Sequence, residues 1–294
     1  LKPLDRHLKN AGSSVNDALR HGAECLAALP HAGPRLEAEI LLVAASGRSR
    51  EQIFAWPEHA LTPETWARYR ELLDRRSAGE PIAYILGRRA FWTLELRVSP
   101  ATLIPRPETE LLVDIALGLL PADGRLSVAD PGTGSGAIAA ALARERPGWR
   151  LIAIEQDPQA AGVAAGNLRH LVPGNTCLLR GDWLAAIRPA TLDAVVSNPP
   201  YIGTDDPHLR QGDLRFEPLG ALAAGADGLN AIRRIAAEAA VCLSPGGLLI
   251  LEHGLDQGAD VREILAWLGF RCLETRRDLA GLERATLGYL GPKG

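Results

Sequence analysis

The tetrapeptide Asn198-Pro199-Pro200-Tyr201 places an amide side chain and an aromatic ring directly after a short apolar run, residues 192–197. Such a run predicts a buried strand, and the two prolines predict its end because proline cannot donate a hydrogen bond to the strand ladder. In an open parallel sheet, ligands bind at the carboxyl ends of the strands. We therefore expect Asn198 at a ligand-binding edge; the alternative is a structural turn with no ligand.

A second candidate site is the glycine-rich segment Asp130-Pro131-Gly132-Thr133-Gly134-Ser135-Gly136, between a predicted strand and an alanine-rich helix. Glycines allow a backbone to turn tightly and to approach a ligand closely. The spacing is G-x-G-x-G, whereas the dinucleotide fingerprint is G-x-G-x-x-G, so an NAD site is disfavoured. The residues expected to contact a nucleotide-like cofactor are Gly132, Thr133, Gly134, Ser135 and Gly136.

Two further side chains follow the next predicted strands. Glu155 ends the second strand, about 20 residues beyond the glycines, where an acidic residue accepts hydrogen bonds from ribose hydroxyls. That feature is shared by NAD and S-adenosylmethionine sites, although a carboxylate near a sulfonium cation is favourable and near a pyrophosphate is not. Trp183 follows the third strand and offers a flat face for an adenine, the alternative being a core tryptophan.

The elements that must position these residues change in kind along the chain. Residues 1–79 predict a helical domain, with helices beginning at Ser14, Pro34 and Thr62. Residues 80–105 predict a linking β-hairpin, with strands 84–87 and 91–98 joined at residues 87–89. Residues 106–294 alternate strands and helices, which predicts an α/β fold: a doubly wound, mostly parallel seven-stranded sheet with an antiparallel last hairpin.

Bulk properties exclude several classes of protein. The 294 residues are 47% hydrophobic, and no apolar run approaches the ~18 residues of a membrane span. The segment Leu1–His7 has no apolar core of a signal peptide, and the four scattered cysteines fit reduced thiols, so we expect a cytoplasmic protein. Neither cysteines nor histidines have metal-ligand spacing, so no metal is expected. The net charge of −3 argues against a protein that grips a long nucleic-acid duplex.

Together these residues resemble a class I S-adenosylmethionine-dependent methyltransferase, and Asn198-Pro199-Pro200-Tyr201 resembles the (D/N)PPY motif of enzymes that methylate planar nitrogens. More closely, and over nearly the whole chain, the sequence resembles the release-factor glutamine methyltransferases. The stretches that carry this resemblance, besides the glycine turn, are 79–87 (GEPIAYILG), 91–92 (FW), 103–110 (LIPRPETE), 197–202 (SNPPYI), 215–218 (RFEP) and 252–254 (EHG).

The resemblance implies the cofactor S-adenosyl-L-methionine and, as substrate, the glutamine of the Gly-Gly-Gln tripeptide in class 1 peptide-chain release factors. The helical domain would dock this protein substrate; we expect a monomer, without nucleic-acid or membrane partners. Pro131 and Glu155 depart from the family pattern, where an apolar residue and an aspartate are common. Pro131 removes one backbone N–H from the turn, whereas Glu155 keeps the acceptor chemistry.

A mechanism follows for the substrate amide, whose nitrogen is a poor nucleophile with two N–H donors. The Asn198 side-chain oxygen and the Pro199 carbonyl would accept one hydrogen bond each and aim the nitrogen at the methyl group. Tyr201 would cover the amide face, and Pro200 would stiffen the backbone. Asn198, Pro199 and Tyr201 are thus the predicted catalytic residues, and Asn198 also borders the cofactor.

Four other functions remain open from the sequence. The chain could methylate a glutamine of a ribosomal protein, or could be a nucleic-acid adenine N6-methyltransferase that flips a base into the same pocket. The negative charge and the absence of an evident target-recognition insertion disfavour the latter. A non-catalytic binding module and an NAD dehydrogenase are disfavoured by the intact motifs and by the glycine spacing, respectively.

Overall fold

The computed structural model describes residues 14–29 and 33–292, so the segment Leu1–His7 lies outside the described residues. The chain divides into two compact units. The smaller unit comprises the described residues up to Leu86 together with Gln211–Phe216. The larger unit comprises Gly87–Arg210 and the described residues from Glu217 onward.

The smaller unit is helical. Its helices are α1 (Val15–Leu26), α2 (Pro34–Ser46), α3 (Arg50–Ala55), α4 (Pro63–Ser77) and α5 (Ile82–Leu86). The helix starts predicted at Ser14, Pro34 and Thr62 are confirmed, and the Ser14 hydroxyl accepts a hydrogen bond from the Asp17 amide at 3.2 Å. Helix α3 was not predicted, because its six residues include a single buried apolar side chain, Ile53, and so show no periodic stripe.

Residues 211–216 belong to this helical unit although they are distant from it in sequence. Arg76 of α4 is buried, with an exposed fraction of 5%, and pairs with Glu37 at 2.8 Å and with Asp213 at 3.1 Å. Arg215 donates to the Ala78 carbonyl at 3.0 Å. These contacts hold residues 211–216 within the helical unit.

The predicted hairpin is displaced by several residues. Residues 82–86 form helix α5, and the two strands are β1 (Arg88–Phe91) and β2 (Leu94–Arg97), which pair antiparallel around the turn at Trp92 and Thr93. The prediction of a strand over 84–87 was wrong because Pro81 accepts helical hydrogen bonds from the Tyr84 and Ile85 amides at 3.0 Å each. Ala83, Tyr84 and Ile85 are all buried, which is not the alternation of a half-buried strand.

The larger unit is a seven-stranded sheet between two layers of helices, as predicted. Its sheet strands are β3 (Ser127–Pro131), β4 (Arg150–Glu155), β5 (Thr176–Arg180), β6 (Leu192–Ser197), β7 (Leu243–Glu252), β8 (Phe270–Arg277) and β9 (Glu283–Leu290), in the order β5-β4-β3-β6-β7-β9-β8. Pairing is parallel except along β9, which runs antiparallel to both β7 and β8. The helices are α6 (Glu110–Leu119), α7 (Ala137–Glu145), α8 (Pro158–Leu171), α9 (Asn230–Cys242) and α10 (Gly258–Trp267).

The sheet is buried on both faces because its central strands carry apolar side chains on both. In β6, Ala194 and Val196 pack into one core cluster with α6 and α7, whereas Val195 packs into the other with α9 and α10. Parallel pairing of β3 with β4 and with β6 aligns the carboxyl ends of these strands at one edge. Across the described ranges, no helix is long and apolar enough to cross a bilayer.

Asn167 of α8 fastens the small hairpin to the glycine turn. Its side chain accepts from the Arg97 amide at 2.9 Å and donates to the carbonyls of Arg97 at 2.9 Å and Ser135 at 2.8 Å. The residue is buried, with an exposed fraction of 2%. The Asn167 side chain therefore makes the hydrogen bonds with the Arg97 backbone that a neighbouring strand would otherwise make.

We expect Asn167→Ala to lower the free energy of unfolding by about 2–3 kcal/mol, because it leaves backbone groups of Arg97 and Ser135 without partners. Urea denaturation measures the change. Arg169→Ala, at an exposed position of the same helix, serves as the control and should change stability by less than about 0.5 kcal/mol. Equal effects of the two substitutions would contradict the assignment.

Candidate active site

A cavity of about 650 Å³ lies at the carboxyl ends of β3, β4 and β6, and its lining residues all belong to the larger unit. The volume falls within the range of about 300–1,000 Å³ found for small-molecule sites. The predicted residues that line it are Gly132, Thr133, Gly134, Ser135, Glu155, Trp183, Asn198 and Pro200. Within the described residues, Gly136, Pro199 and Tyr201 are not part of the lining. The structure thus gathers residues that are up to 68 positions apart in sequence.

The tetrapeptide is held next to the glycine turn by the ends of the two central strands. Ser197, the last residue of β6, donates its hydroxyl hydrogen to the Pro131 carbonyl at 2.6 Å. The turn is also tied to β4, because the amides of Gly132 and Thr133 donate to the Ile154 carbonyl at 2.9 and 3.0 Å. Pro131 therefore ends β3 without disturbing the turn that follows it.

Two glycines of the turn are required for different reasons. Gly132 has φ +73°, and a Cβ placed there would lie 2.7 Å from Cζ3 of Trp183, so the indole packs directly on the glycine backbone. Gly134 has φ +57°, and a Cβ there would meet only the Gly132 carbonyl oxygen, 4.0 Å away. The backbone at Gly134 thus faces open space in the cavity, where a ligand can approach it closely.

Glu155 holds the turn and faces the cavity. Glu155 Oε2 accepts from the Gly134 amide at 2.9 Å, and Oε1 accepts from the amides of Gln156 and Asp157 at 2.8 and 3.0 Å. The carboxylate is therefore fixed at the end of β4, where it can still accept hydrogen bonds from ribose hydroxyls. Asp182, next to Trp183, is instead paired with Arg234 at 2.6 Å.

The charge of the cavity restricts its ligands. Of the described residues that line it, Glu155 and Asp157 are acidic and none is Lys or Arg. A pyrophosphate would therefore be repelled, whereas a ligand with a positive centre would be stabilised. The lining residues therefore fit S-adenosylmethionine, which carries a sulfonium cation and a ribose, better than they fit NAD.

Two polar groups under the turn support a ligand site. Within the described residues, Ser135 Oγ and Asp130 Oδ1 are buried without hydrogen-bond partners. Asp130 Oδ2 accepts from the Thr133 hydroxyl at 2.5 Å and the Ala139 amide at 3.1 Å. Burial raises the pKa of Asp130 to about 7, although these hydrogen bonds oppose the shift. Ser135 also lines the cavity, so a bound ligand could satisfy its hydroxyl.

Side chains that the sequence interpretation missed surround the tetrapeptide. Asn198 Nδ2 donates to Thr109 Oγ1 at 3.0 Å, so the Oδ1 end of the amide is the one that could accept from a ligand. The Tyr201 ring packs into a core cluster, and its hydroxyl donates to Glu252 Oε1 at 3.1 Å. An acidic residue directly after the apolar run 248–251 was the available signal for Glu252, since that run is a strand ending at the same edge.

Glu217 joins two of the stretches on which the family resemblance rests. Its side chain is fully buried, accepts from the Ile104 amide at 3.0 Å and forms an ion pair with Arg106. Because Leu103 and Pro218 line the cavity, this contact holds two segments of its wall together. The sequence gives no sign of this pairing, since the partners are more than 100 residues apart.

Comparison with known proteins gives consistent matches. Residues 17–87 match the family model described as the PrmC N-terminal domain, and residues 109–210 match the methyltransferase small domain. The chain is 50% identical over 254 residues to a release factor glutamine methyltransferase of Pseudomonas aeruginosa, covering 86% of this chain and 92% of that protein. It is 48% identical over 255 residues to the Escherichia coli protein of the same description, covering 87% and 92%.

Solved structures show the same fold at low sequence identity. A methyltransferase from Pyrococcus furiosus aligns with a TM-score of 0.53 at 19% identity, covering 74% of this chain and 98% of that one. The hMettl16 catalytic domain, solved in complex with a 3′UTR hairpin, aligns with a TM-score of 0.56 at 18% identity, covering 76% and 83%. These likenesses confirm the predicted class I methyltransferase fold.

We expect Gly134→Ala to weaken S-adenosylmethionine binding at least about tenfold, because the added methyl group occupies the cavity where the ligand approaches the backbone. Isothermal titration calorimetry measures the dissociation constant. Gly47→Ala is the matched control: Gly47 has φ +67° and open space around its Cβ position, but it ends α2 in the helical unit. Both variants carry the same backbone strain, so equal cofactor affinity would contradict the site.

The raised pKa of Asp130 predicts a pH-dependent stability. The folded protein holds this proton up to about pH 7, whereas the unfolded chain loses it near pH 4. The free energy of unfolding should therefore fall as pH rises from 4 to 7, by up to about 1.4 kcal/mol per pH unit. Asp130→Asn should remove this part of the slope in urea denaturation at pH 5, 6 and 7. The exposed Asp123→Asn should not; parallel slopes for all three proteins would refute the prediction.

Proposed function

The chain belongs to the release factor glutamine methyltransferase family, and we propose that it transfers a methyl group from S-adenosylmethionine to the glutamine side-chain amide of the Gly-Gly-Gln tripeptide in class 1 peptide-chain release factors. Because it belongs to this family, the chain is a protein-glutamine methyltransferase. The observation that carries the proposal is the juxtaposition of Asn198 with an acidic, cation-free cofactor cavity at one sheet edge, within the described residues.

The cavity would hold the cofactor through its backbone turn and its carboxylate. Gly132–Gly134 supply close backbone approach, Glu155 accepts from ribose hydroxyls, and Trp183 offers its ring to the adenine. When bound, S-adenosylmethionine supplies an electrophilic methyl group on a sulfonium centre. The two carboxylates of the lining favour that positive charge.

Asn198 would orient the substrate nitrogen. Asn198 Oδ1 and the Pro199 carbonyl each accept one amide hydrogen, which fixes the plane of the amide and directs its nitrogen toward the methyl group. These acceptors bind more strongly as positive charge develops on nitrogen, so they stabilise the transition state more than the ground state. A general base is unnecessary before transfer, because the methylated nitrogen becomes acidic and loses its proton afterwards.

Tyr201 has a more restricted role in this proposal than the sequence suggested. Because its hydroxyl is bound to Glu252 and its ring packs into the core, its support for the amide would come from fixing the backbone after Pro200. Gln257 adds to this by donating to the Tyr201 carbonyl at 3.0 Å. Pro199 and Pro200 are buried and stiffen the same segment.

The relatives favour a protein substrate over a nucleic acid. Curated relatives described as release factor glutamine methyltransferases align over 86–94% of this chain, which includes the helical unit. The fold alone does not distinguish the two kinds of substrate, since the hMettl16 catalytic domain shares this fold and was solved in complex with a 3′UTR hairpin. We propose that the helical domain predicted over residues 1–79, which precedes the linking segment 80–105, docks the protein substrate.

We expect Asn198→Ala to lower kcat at least about 100-fold, because one of the two acceptors that orient the amide is lost. The dissociation constant for S-adenosylmethionine should change by less than about threefold, since the glycine turn and Glu155 are intact. Methyl transfer from labelled S-adenosylmethionine to release factor measures kcat, and calorimetry measures binding. Near-normal turnover by the variant would overturn the role of Asn198.

A substrate panel separates the rival functions in the same assay. Release factor, release factor with its Gly-Gly-Gln glutamine changed to alanine, ribosomal protein and DNA are each incubated with the wild-type enzyme. Label should appear on the unmodified release factor alone. Label on DNA or on ribosomal protein instead would replace the proposed substrate, and label on the alanine variant would place the target at another residue.

A further inference from the structure

Glu252 is a buried carboxyl group behind the tetrapeptide. It ends β7, the strand that pairs with β6, and its exposed fraction is 1%. It does not belong to the cavity lining among the described residues, so nothing places it in contact with cofactor or substrate. Burying a carboxyl group costs free energy, so the burial of Glu252 requires an explanation other than ligand binding.

The carboxyl group connects both functional ends of the tetrapeptide. Glu252 Oε1 accepts directly from the Tyr201 hydroxyl at 3.1 Å. Hydrogen bonding by the nearby Thr109 side chain lowers the pKa of Glu252, and Thr109 Oγ1 accepts from Asn198 Nδ2 at 3.0 Å. A threonine hydroxyl has one hydrogen to donate and lone pairs to accept, so it can serve both partners at once.

We propose that Glu252 is a positioning residue for methyl transfer, which fixes Asn198 through Thr109 and fixes Tyr201 directly before the substrate amide binds. The inference rests on the proposed function and deepens it. With Nδ2 held by Thr109, the Asn198 amide cannot rotate to present a donor, so Oδ1 is the atom offered to the substrate N–H. Because hydrogen bonds in a chain polarise one another, the same contact strengthens Oδ1 as an acceptor.

The role of Glu252 is that of an acceptor rather than of a charge. Burial raises its pKa to about 7; the hydrogen bonds from Thr109 and Tyr201 and the nearby Arg284 lower it, and Glu108 raises it. Oε1 can accept whether or not the group is ionised. Within the described residues, Oε2 is buried without a hydrogen-bond partner, and the Tyr201 hydroxyl binds Oε1.

Two substitutions at Glu252 distinguish the loss of its hydrogen-bond acceptor from a change in side-chain shape. Glu252→Leu keeps the volume and removes the acceptor, so kcat should fall about 30-fold while the dissociation constant for S-adenosylmethionine stays within about threefold. Glu252→Gln keeps Oε1 as an acceptor and should recover at least about tenfold of the lost rate. A fall in kcat without a fall in cofactor affinity is not expected from general destabilisation.

A double-mutant cycle tests the path through Thr109. Thr109→Val removes the hydroxyl that joins Asn198 to Glu252, so the Thr109→Val, Glu252→Leu double variant should lose little more rate than Glu252→Leu alone. The control is Asp193→Ala, at the amino end of β6, which removes the acceptor of the hydrogen bond from the Ser127 amide at 2.7 Å. This control should lower the melting temperature and leave kcat unchanged.

Three outcomes would overturn the inference. These are a near-normal kcat for Glu252→Leu, a loss of rate in Glu252→Leu that Asp193→Ala reproduces at equal melting temperature, and rate losses that multiply in the double variant. All three outcomes are measured against a wild-type enzyme that transfers label to release factor. If the wild type does not, the proposed function fails, which is a distinguishable result.

Discussion

Parallel pairing of β3 with β4 and with β6 is the constraint on which the site depends. It brings the ends of three strands to one edge, although Gly132, Glu155 and Asn198 are separated by many residues in the chain. The Ser197 hydroxyl completes this arrangement by binding the Pro131 carbonyl, where the backbone ladder has ended. Because the two sheet faces pack into two different core clusters, a slip of one residue would move every side chain of a strand into the wrong cluster, and the register is therefore fixed.

The chemistry of the cavity follows from what this edge carries. Backbone amides of the turn are already used by Ile154 and Glu155, so the turn holds its shape without a ligand. Among the described residues, the lining holds acidic side chains and no Lys or Arg, which gives the cavity a preference for positive charge. A reaction in which a sulfonium donates a methyl group and a nitrogen gains positive charge is compatible with that field, whereas transfer of a phosphate-bearing group is not.

The loop after Tyr201 connects the two units in a way that the domain order does not suggest. It leaves the larger unit at Gln211, contributes six residues to the helical unit through Asp213 and Arg215, and returns at Glu217. Glu217 is then fixed by Arg106 beside the cavity wall.

The sequence by itself determined the elements and their chemistry, and the tertiary structure decided the contacts between them. Strand ends, helix caps and the glycine turn are local, so apolar runs, prolines and capping residues predicted them; the hairpin was misplaced because a five-residue helix and a short strand give similar patterns. Thr109, Glu217 and Glu252 lie in stretches that carry the family resemblance, but their contacts were not predicted because the partners lie 89, 113 and 51 residues away, and no periodicity encodes such pairings. Chain folding alone places the acceptor behind Asn198, since it requires β6 and β7 to lie side by side.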